Sequence, residues 1–172
     1  FRMAYTVLGD AVNLGSRLEG LTKEYGVNII VSESTKAEIP EFLFRELDLV
    51  RVKGKHEPVA IFEPVGHKND VDKSVTEELS IYRKALTGFR AQSWDKAELD
   101  FFNLNRSYPD RYLYEVYLNR INVYRENPPG DDWDAAQSAD EATAAAMAGY
   151  AQWLEDTHPE EYPQMVEDGR VV

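Results

Sequence analysis

Between Gly66 and Ser74 the apolar pattern of the chain changes period, and that change most limits what the chain can fold into. Before it, apolar residues come in short runs rich in β-branched and aromatic types: residues 3–8, 27–31, 44–53 and 58–65. Such runs, interrupted by Gly9-Asp10, Gly26 and Gly54-Lys55-His56-Glu57, predict strands, and the last two predict a hairpin. After it, Leu79, Tyr82, Leu86 and Phe89 share one helical face, Trp94, Ala97, Phe101 and Leu104 share another, and Leu113, Tyr117, Ile121 and Tyr124 continue the spacing. Strands in one half and helices in the other predict an α+β fold.

Finer signals fill in this outline. Val12, Leu14, Leu18 and Leu21 predict a helix to about Tyr25, ended by Gly26 as a C-terminal glycine. Ser32 or Ser34 is placed to cap a short helix over 34–40, limited by Pro40. The expected organisation is a first unit over 1–66, a polar linker over 67–74, a helical segment over 75–130 closed by Pro128-Pro129-Gly130, and an alanine-rich, acidic tail over 131–172. Short breaks at Ala91-Gln92-Ser93 and Ser107-Tyr108-Pro109-Asp110 predict neighbouring antiparallel helices. One such helix pair, with Ala85, Ala97 and Pro109 at small-residue and turn positions, is similar to a tetratricopeptide repeat.

Charge excludes one class of partner. Of the net −12, most lies in the tail, where residues 131–172 hold 11 acidic side chains and 1 basic one. Such a tail repels phosphate backbones, and no basic cluster elsewhere provides the footprint that nucleic acid requires. The chain has no cysteine, so neither disulfides nor thiolate metal sites form, as expected for a reducing compartment. No apolar run reaches bilayer length.

Chemistry concentrates in Tyr5-Thr6-Val7-Leu8-Gly9-Asp10-Ala11-Val12-Asn13-Leu14-Gly15-Ser16-Arg17-Leu18-Glu19-Gly20. Asn13 and Arg17 are four apart, so on a helix both project from one face. An amide that donates and accepts suits a sugar oxygen, and a guanidinium fork suits phosphate oxygens. Lys53 and Lys55 flank a hairpin glycine and offer two more cations. Spacing alone leaves the ligand open, since a solvated helix face and a turn account for the same four residues.

The whole stretch resembles the class III adenylate and guanylate cyclases, in which Tyr-Thr-x-x-Gly-Asp-x-Val-Asn-x-x-x-Arg-Leu-Glu recurs. The resemblance continues in order through Tyr25-Gly26, Phe44-Arg45-Glu46-Leu47 and Val52-Lys53-Gly54-Lys55 to Ile61-Phe62-Glu63, covering about residues 3–66. It implies the C-terminal half of a ferredoxin-like cyclase domain converting ATP to cyclic AMP and pyrophosphate in signal transduction. Asn13 would hold the ribose, Arg17 would stabilise charge on the α-phosphate, and Lys53 would contact the terminal phosphates. Thr6 stands where many relatives have a purine-reading Asp, so it joins the substrate-binding set. Asp10 takes a structural role in the turn. In the family two aspartates holding Mg2+ or Mn2+ lie N-terminal to this block, and this sequence has no Phe-x-Asp-Ile-x-Gly motif. The expectation is a fragment without metal ligands, inactive alone, whose partner in the parent protein is a second cyclase protomer. Ending the domain with Phe-Glu-Pro and continuing to Arg125-Glu126-Asn127-Pro128-Pro129 resembles sensor-linked bacterial cyclases anchored in a membrane. That implies a cytoplasmic portion with no direct membrane contact. The competing expectation is a non-catalytic module that binds a protein partner through an apolar groove among Tyr82, Phe89, Trp94 and Phe101. His56, His67 and His158 are too scattered for a shared metal site.

Overall fold

The computed structural model describes residues 14, 15, 18–52, 57–138, 143–161, 163 and 164. Helix α1 (Thr22–Tyr25) is followed by strand β1 (Val31–Ser32), helix α2 (Glu33–Glu38), strands β2 (Phe42–Arg51) and β3 (Val59–His67), and helices α3 (Lys73–Arg90), α4 (Trp94–Ser107) and α5 (Tyr112–Glu126). Strand β4 (Gln137–Ser138) and helix α6 (Thr143–Thr157) complete the order. Residues 14, 15 and 18–20 are helical too. The chain is α+β, as the period change predicts.

Local chemistry explains the helix ends. Gly26 adopts φ +62°, its N–H bonds Lys23 O, and the Val27 N–H bonds Thr22 O at 2.9 Å, which together form a Schellman cap. This cap also shortens the strand predicted over 27–31. With its amide committed to the helix, Val27 is unavailable to a ladder, and β1 keeps only Val31 and Ser32, paired with Phe62 and Ile61. Of the two candidate caps for the next helix, Ser32 serves, its hydroxyl accepting from the Thr35 N–H at 3.3 Å. Gln92 closes α3 in the same way as Gly26, at φ 55°, with Ser93 N–H bonded to Gly88 O at 2.9 Å.

The sheet order is β1-β3-β2-β4, antiparallel except that β4 runs parallel to β2. The β2–β3 hairpin is its body, and two bulges shape it. Glu46 pairs with Phe62 and Asp48 with Ile61, which leaves Leu47 as an extra residue in β2. An extra residue reverses the alternation of side chains about the strand. Arg45 and Leu47 before the bulge, and Asp48, Val50 and Val52 from it onward, are therefore all buried. A second shift lets Val65 lie outside the pairing of Gly66 with Leu43 and Pro64 with Phe44, so Pro64 sits beside a bulge, where a missing N–H does little harm.

Helices α3 and α5 cover this face. Tyr82 of α3 donates to Glu46 O at 2.7 Å, and Tyr117 of α5 donates to Leu47 O at 2.6 Å, so the hydroxyls reach the backbone where the bulge interrupts the ladder. Phe101 of α4 stacks on Tyr117 with ring centres 4.7 Å apart, and Phe89 meets Tyr117 edge-on at 4.9 Å. Gly88 of α3 lies against Ala97 of α4, close enough that an added Cβ would stand 3.6 Å from the Ala97 Cβ. One continuous core runs from Leu18 to Ile121, on both sides of residues 67–74.

Two expectations change. The groove expected among Tyr82, Phe89, Trp94 and Phe101 is filled: Tyr82, Phe89 and Phe101 are core residues, and Trp94 stacks on Tyr124 at 5.7 Å with Trp133 folded over it. The sheet supplies the cover that a partner was expected to supply. Strand β4 was not expected at all, because Gln137 and Ser138 have no strand pattern. Pairing with Val50 and Arg51 holds it, together with an Arg51–Asp134 ion pair and a bond from Gln137 Nε2 to the Tyr124 hydroxyl at 3.0 Å.

Gly26→Ala should lower the urea unfolding midpoint. A left-handed non-glycine residue costs about 1–2 kcal/mol, and the new Cβ would stand 2.7 Å from the Tyr112 Cβ. A midpoint equal to the parent's would show that the cap tolerates a side chain.

Candidate functional site

The residues that sequence chemistry assigns to a nucleotide, Thr6, Asn13, Arg17 and Lys53, lie outside the described residues, as do Asp10 and His56. What the structure describes is the frame around them. Leu14 and Leu18, the sequence neighbours of Asn13 and Arg17, pack on the core with Leu21 and Tyr25, a stripe at helical spacing. Val52, which precedes Lys53, is buried in the same core. The two segments bearing the nucleotide candidates thus share one foundation.

That foundation is charged as well as apolar. Arg120 of α5 donates to Asp48 Oδ2 at 2.5 Å and to Glu24 Oε1 at 2.9 Å, and the Tyr25 hydroxyl donates to the same Asp48 oxygen at 2.8 Å. Asp48 also accepts from the Leu49 N–H at 2.8 Å. The Arg120 guanidinium lies 5.5 Å from the Tyr25 ring centre and 5.4 Å from that of Tyr117. Nearby, Arg45 donates to Glu78 Oε1 at 2.6 Å and to Glu63 Oε2 at 2.8 Å, while the Tyr114 hydroxyl also donates to Glu78. Arg90 closes the third contact, donating to Glu46 at 2.6 Å. Asp48 and Glu78 are each 1% exposed, so these are interior ion pairs whose desolvation only close partners offset.

Burial dominates the proton affinities here. It lifts the Glu24 carboxyl above its ordinary value of 4.5, against the opposing pull of Arg120 and with help from Asp48. It pushes the Tyr25 and Tyr117 hydroxyls well above 10.0, so both remain donors. Tyr112 rises to about 12 from the same cause. Each of these carboxylates already holds an arginine or a tyrosine, which suits a lock between elements better than acid–base chemistry. Among the described residues no group of three or more His, Cys, Asp or Glu is arranged to hold a metal ion. His67 packs edge-on against Phe42 at 5.9 Å, and His158 lies 5.5 Å from Trp153.

Three curated proteins share sequence with this framework. An "Adenylate cyclase" of Anabaena cylindrica is 52% identical over 66 residues, 36% of this chain and 13% of the relative. The chain is related to adenylate cyclases. A second relative, "Adenylate cyclase, terminal-differentiation specific" of Dictyostelium discoideum, is 38% identical over 108 residues, 60% of this chain and 5% of its own length. "Adenylate cyclase 1" of Rhizobium meliloti (strain 1021) is 39% identical over 66 residues, 38% of this chain and 10% of the relative. The chain therefore spans between 5% and 13% of the length of the relatives it matches. No family model and no solved structure matches it.

The cyclase-related stretch does not stop at the hairpin. A match over 60% of the chain, wherever it begins, includes all of α3 and reaches α4. Sequence reasoning named Arg45 and Glu46 only as part of a family strand and passed over Asp48, Glu78 and Arg120. A period-two strand sends Arg45 and Asp48 to opposite faces, and the bulge that unites them leaves no mark in composition.

Arg120→Leu should lower stability by about 3–5 kcal/mol, because Asp48 and Glu24 are left buried without a cation. Adding Asp48→Asn should restore part of that loss in a denaturant titration. Additive losses would mean that the two side chains are energetically independent. Glu24 binds its proton more tightly in the fold, so its contribution is full below 4.5 and is lost as pH rises through the raised folded value. Glu24→Gln should therefore gain on the parent chain as pH rises from 4.5 through that raised value. Parallel urea midpoints across that range would contradict it.

Proposed function

We propose that this chain is the substrate-binding half of a class III nucleotide cyclase domain with a helical extension packed against it. The observation that carries this is the 52% identity to an adenylate cyclase over 66 residues, a length close to that of the stretch from Met3 to Gly66 that bears the cyclase-like motifs. In this reading the first unit belongs to a ferredoxin-like cyclase domain, and the helices α3 to α5 are a tetratricopeptide-like continuation. The substrate is ATP, and the products are cyclic AMP and pyrophosphate.

Asn13 orients the ribose so that its 3′-oxygen faces the α-phosphorus. That oxygen loses its proton and attacks, the bond to the β-phosphate oxygen breaks, and pyrophosphate leaves. Arg17 stabilises the charge that builds on the α-phosphate, and Lys53 neutralises the outer phosphates; Thr6 contacts the purine. Positioning and placed positive charge supply most of the rate in such a displacement. Mg2+ or Mn2+ would add charge neutralisation. In this reading the ligands of that ion come from a second cyclase protomer, and the chain alone is inactive. A cytoplasmic location follows from an intracellular substrate. No described helix is long and apolar enough to cross a membrane.

The test is cyclic AMP formation from ATP with manganese, comparing the chain alone with the chain mixed with a cyclase half that carries the metal aspartates. Activity in the mixture only, lost with Arg17→Ala at little change in ATP affinity, is the expected outcome. A folded chain that stays silent in both would end this reading.

A further inference from the structure

Helix α4 buries one face in the core and turns the opposite face to solvent, and that outer face is not wholly polar. Ala97, Phe101 and Leu104 are buried, whereas Leu99 is 61% and Phe102 54% exposed, one turn apart. Asp95 and Arg106 lie on the same stripe, both exposed. The steps of four, three and four residues from Asp95 through Leu99 and Phe102 to Arg106 are those of a seam along which two helices pack. The helix dipole accounts for an acid in the first turn and a base in the last, but not for the two apolar side chains between them.

Reversed end for end, the stripe is complementary to itself. About a point midway between residues 100 and 101, Asp95 falls on Arg106 and Leu99 on Phe102. A parallel pair in register would set Asp95 against Asp95 and Arg106 against Arg106. We infer that this face of α4 pairs two copies of the chain antiparallel about a two-fold axis, with Leu99 of each on Phe102 of the other and an Asp95–Arg106 ion pair at both ends. Such self-complementarity is what an isologous contact requires. Both charges are available for it. Among the described residues Arg106 has no ion pair. Asp95, with its side chain 99% exposed, accepts from Arg125 at 2.6 Å, but Arg125 also holds Glu98 at 2.8 Å, so Asp95 can turn to a second copy without leaving that arginine unpaired. The seam is about 16 Å long. One helix pair of that length buries less than the about 800 Å² per partner of a standard interface, so the dimer is weak and concentration-dependent.

Sedimentation equilibrium on the full chain from about 1 μM to about 0.5 mM covers the affinities of weak pairs. The parent should pass from monomer to dimer in that range. Asp95→Arg leaves arginine at both ends of the stripe and Arg106→Asp leaves aspartate at both, so each variant alone should dimerise about tenfold more weakly. Mixed in equal amounts, the two should regain the parent's affinity as a heterodimer, because each end again opposes an arginine to an aspartate. A parent that stays monomeric, a dimer that neither charge variant weakens, or variants that stay apart on mixing overturns the inference. Should a charge variant not fold by circular dichroism, Leu99→Gln and Phe102→Gln keep every charge and should each weaken the dimer; an unchanged dimer in both would place the contact on another surface and overturn the inference equally. No nucleotide enters the measurement, so its failure leaves the cyclase reading untouched.

Discussion

Arg45 and Asp48 carry opposite charges on one buried face of β2, and the helices exist in their observed arrangement because those charges must be answered. An ion taken from water needs a partner of fixed geometry, and the sheet itself answers these two with Glu63 and the Leu49 N–H. Glu78 on α3 and Arg120 on α5 provide the opposite charges, beside the Tyr25 hydroxyl on Asp48, so the sheet and the helical extension are specified by each other. The bulge at Leu47 makes this possible twice over. It turns Asp48 to the same side as Arg45, and it leaves backbone carbonyls that Tyr82 and Tyr117 satisfy.

Apolar packing follows the same plan. The tyrosines that cap the bulge belong to the ring cluster with Phe89 and Phe101, and through Tyr124 that cluster reaches Trp94 and Trp133. Tyr25, Tyr82, Tyr114 and Tyr117 each have an apolar body in the core and a hydroxyl on a carbonyl or carboxylate, so hydrophobic burial and polar satisfaction are met by the same side chains. The tail adds a smaller cluster, where Trp153 and Leu154 of α6 lie against Tyr112.

Much of this was legible in the sequence because it depends on period and punctuation. The hairpin, the three long helices, the Gly26 cap and the Ser32 cap all follow from local rules. What escaped depends on partners distant in sequence. Leu79, Tyr82 and Phe89 announce a helix face but not whether a sheet or another protein covers it, and β4 exists only because Val50 and Arg51 are beside it. For the candidate site, the motif from Tyr5 to Gly20 points to nucleotide chemistry through resemblance, whereas Arg120 stands 103 positions beyond Arg17 and bears no local signature of its role.

The bulged face of β2 also sets an order of events during synthesis. Helices α3 and α4 are joined by a short loop, but Asp48 waits for Arg120, 72 residues further on. Contacts that close long loops are slow to form, and until they do the hairpin exposes its apolar and charged face together. The face that β2 presents therefore has no complete interior until the ribosome has passed Arg120.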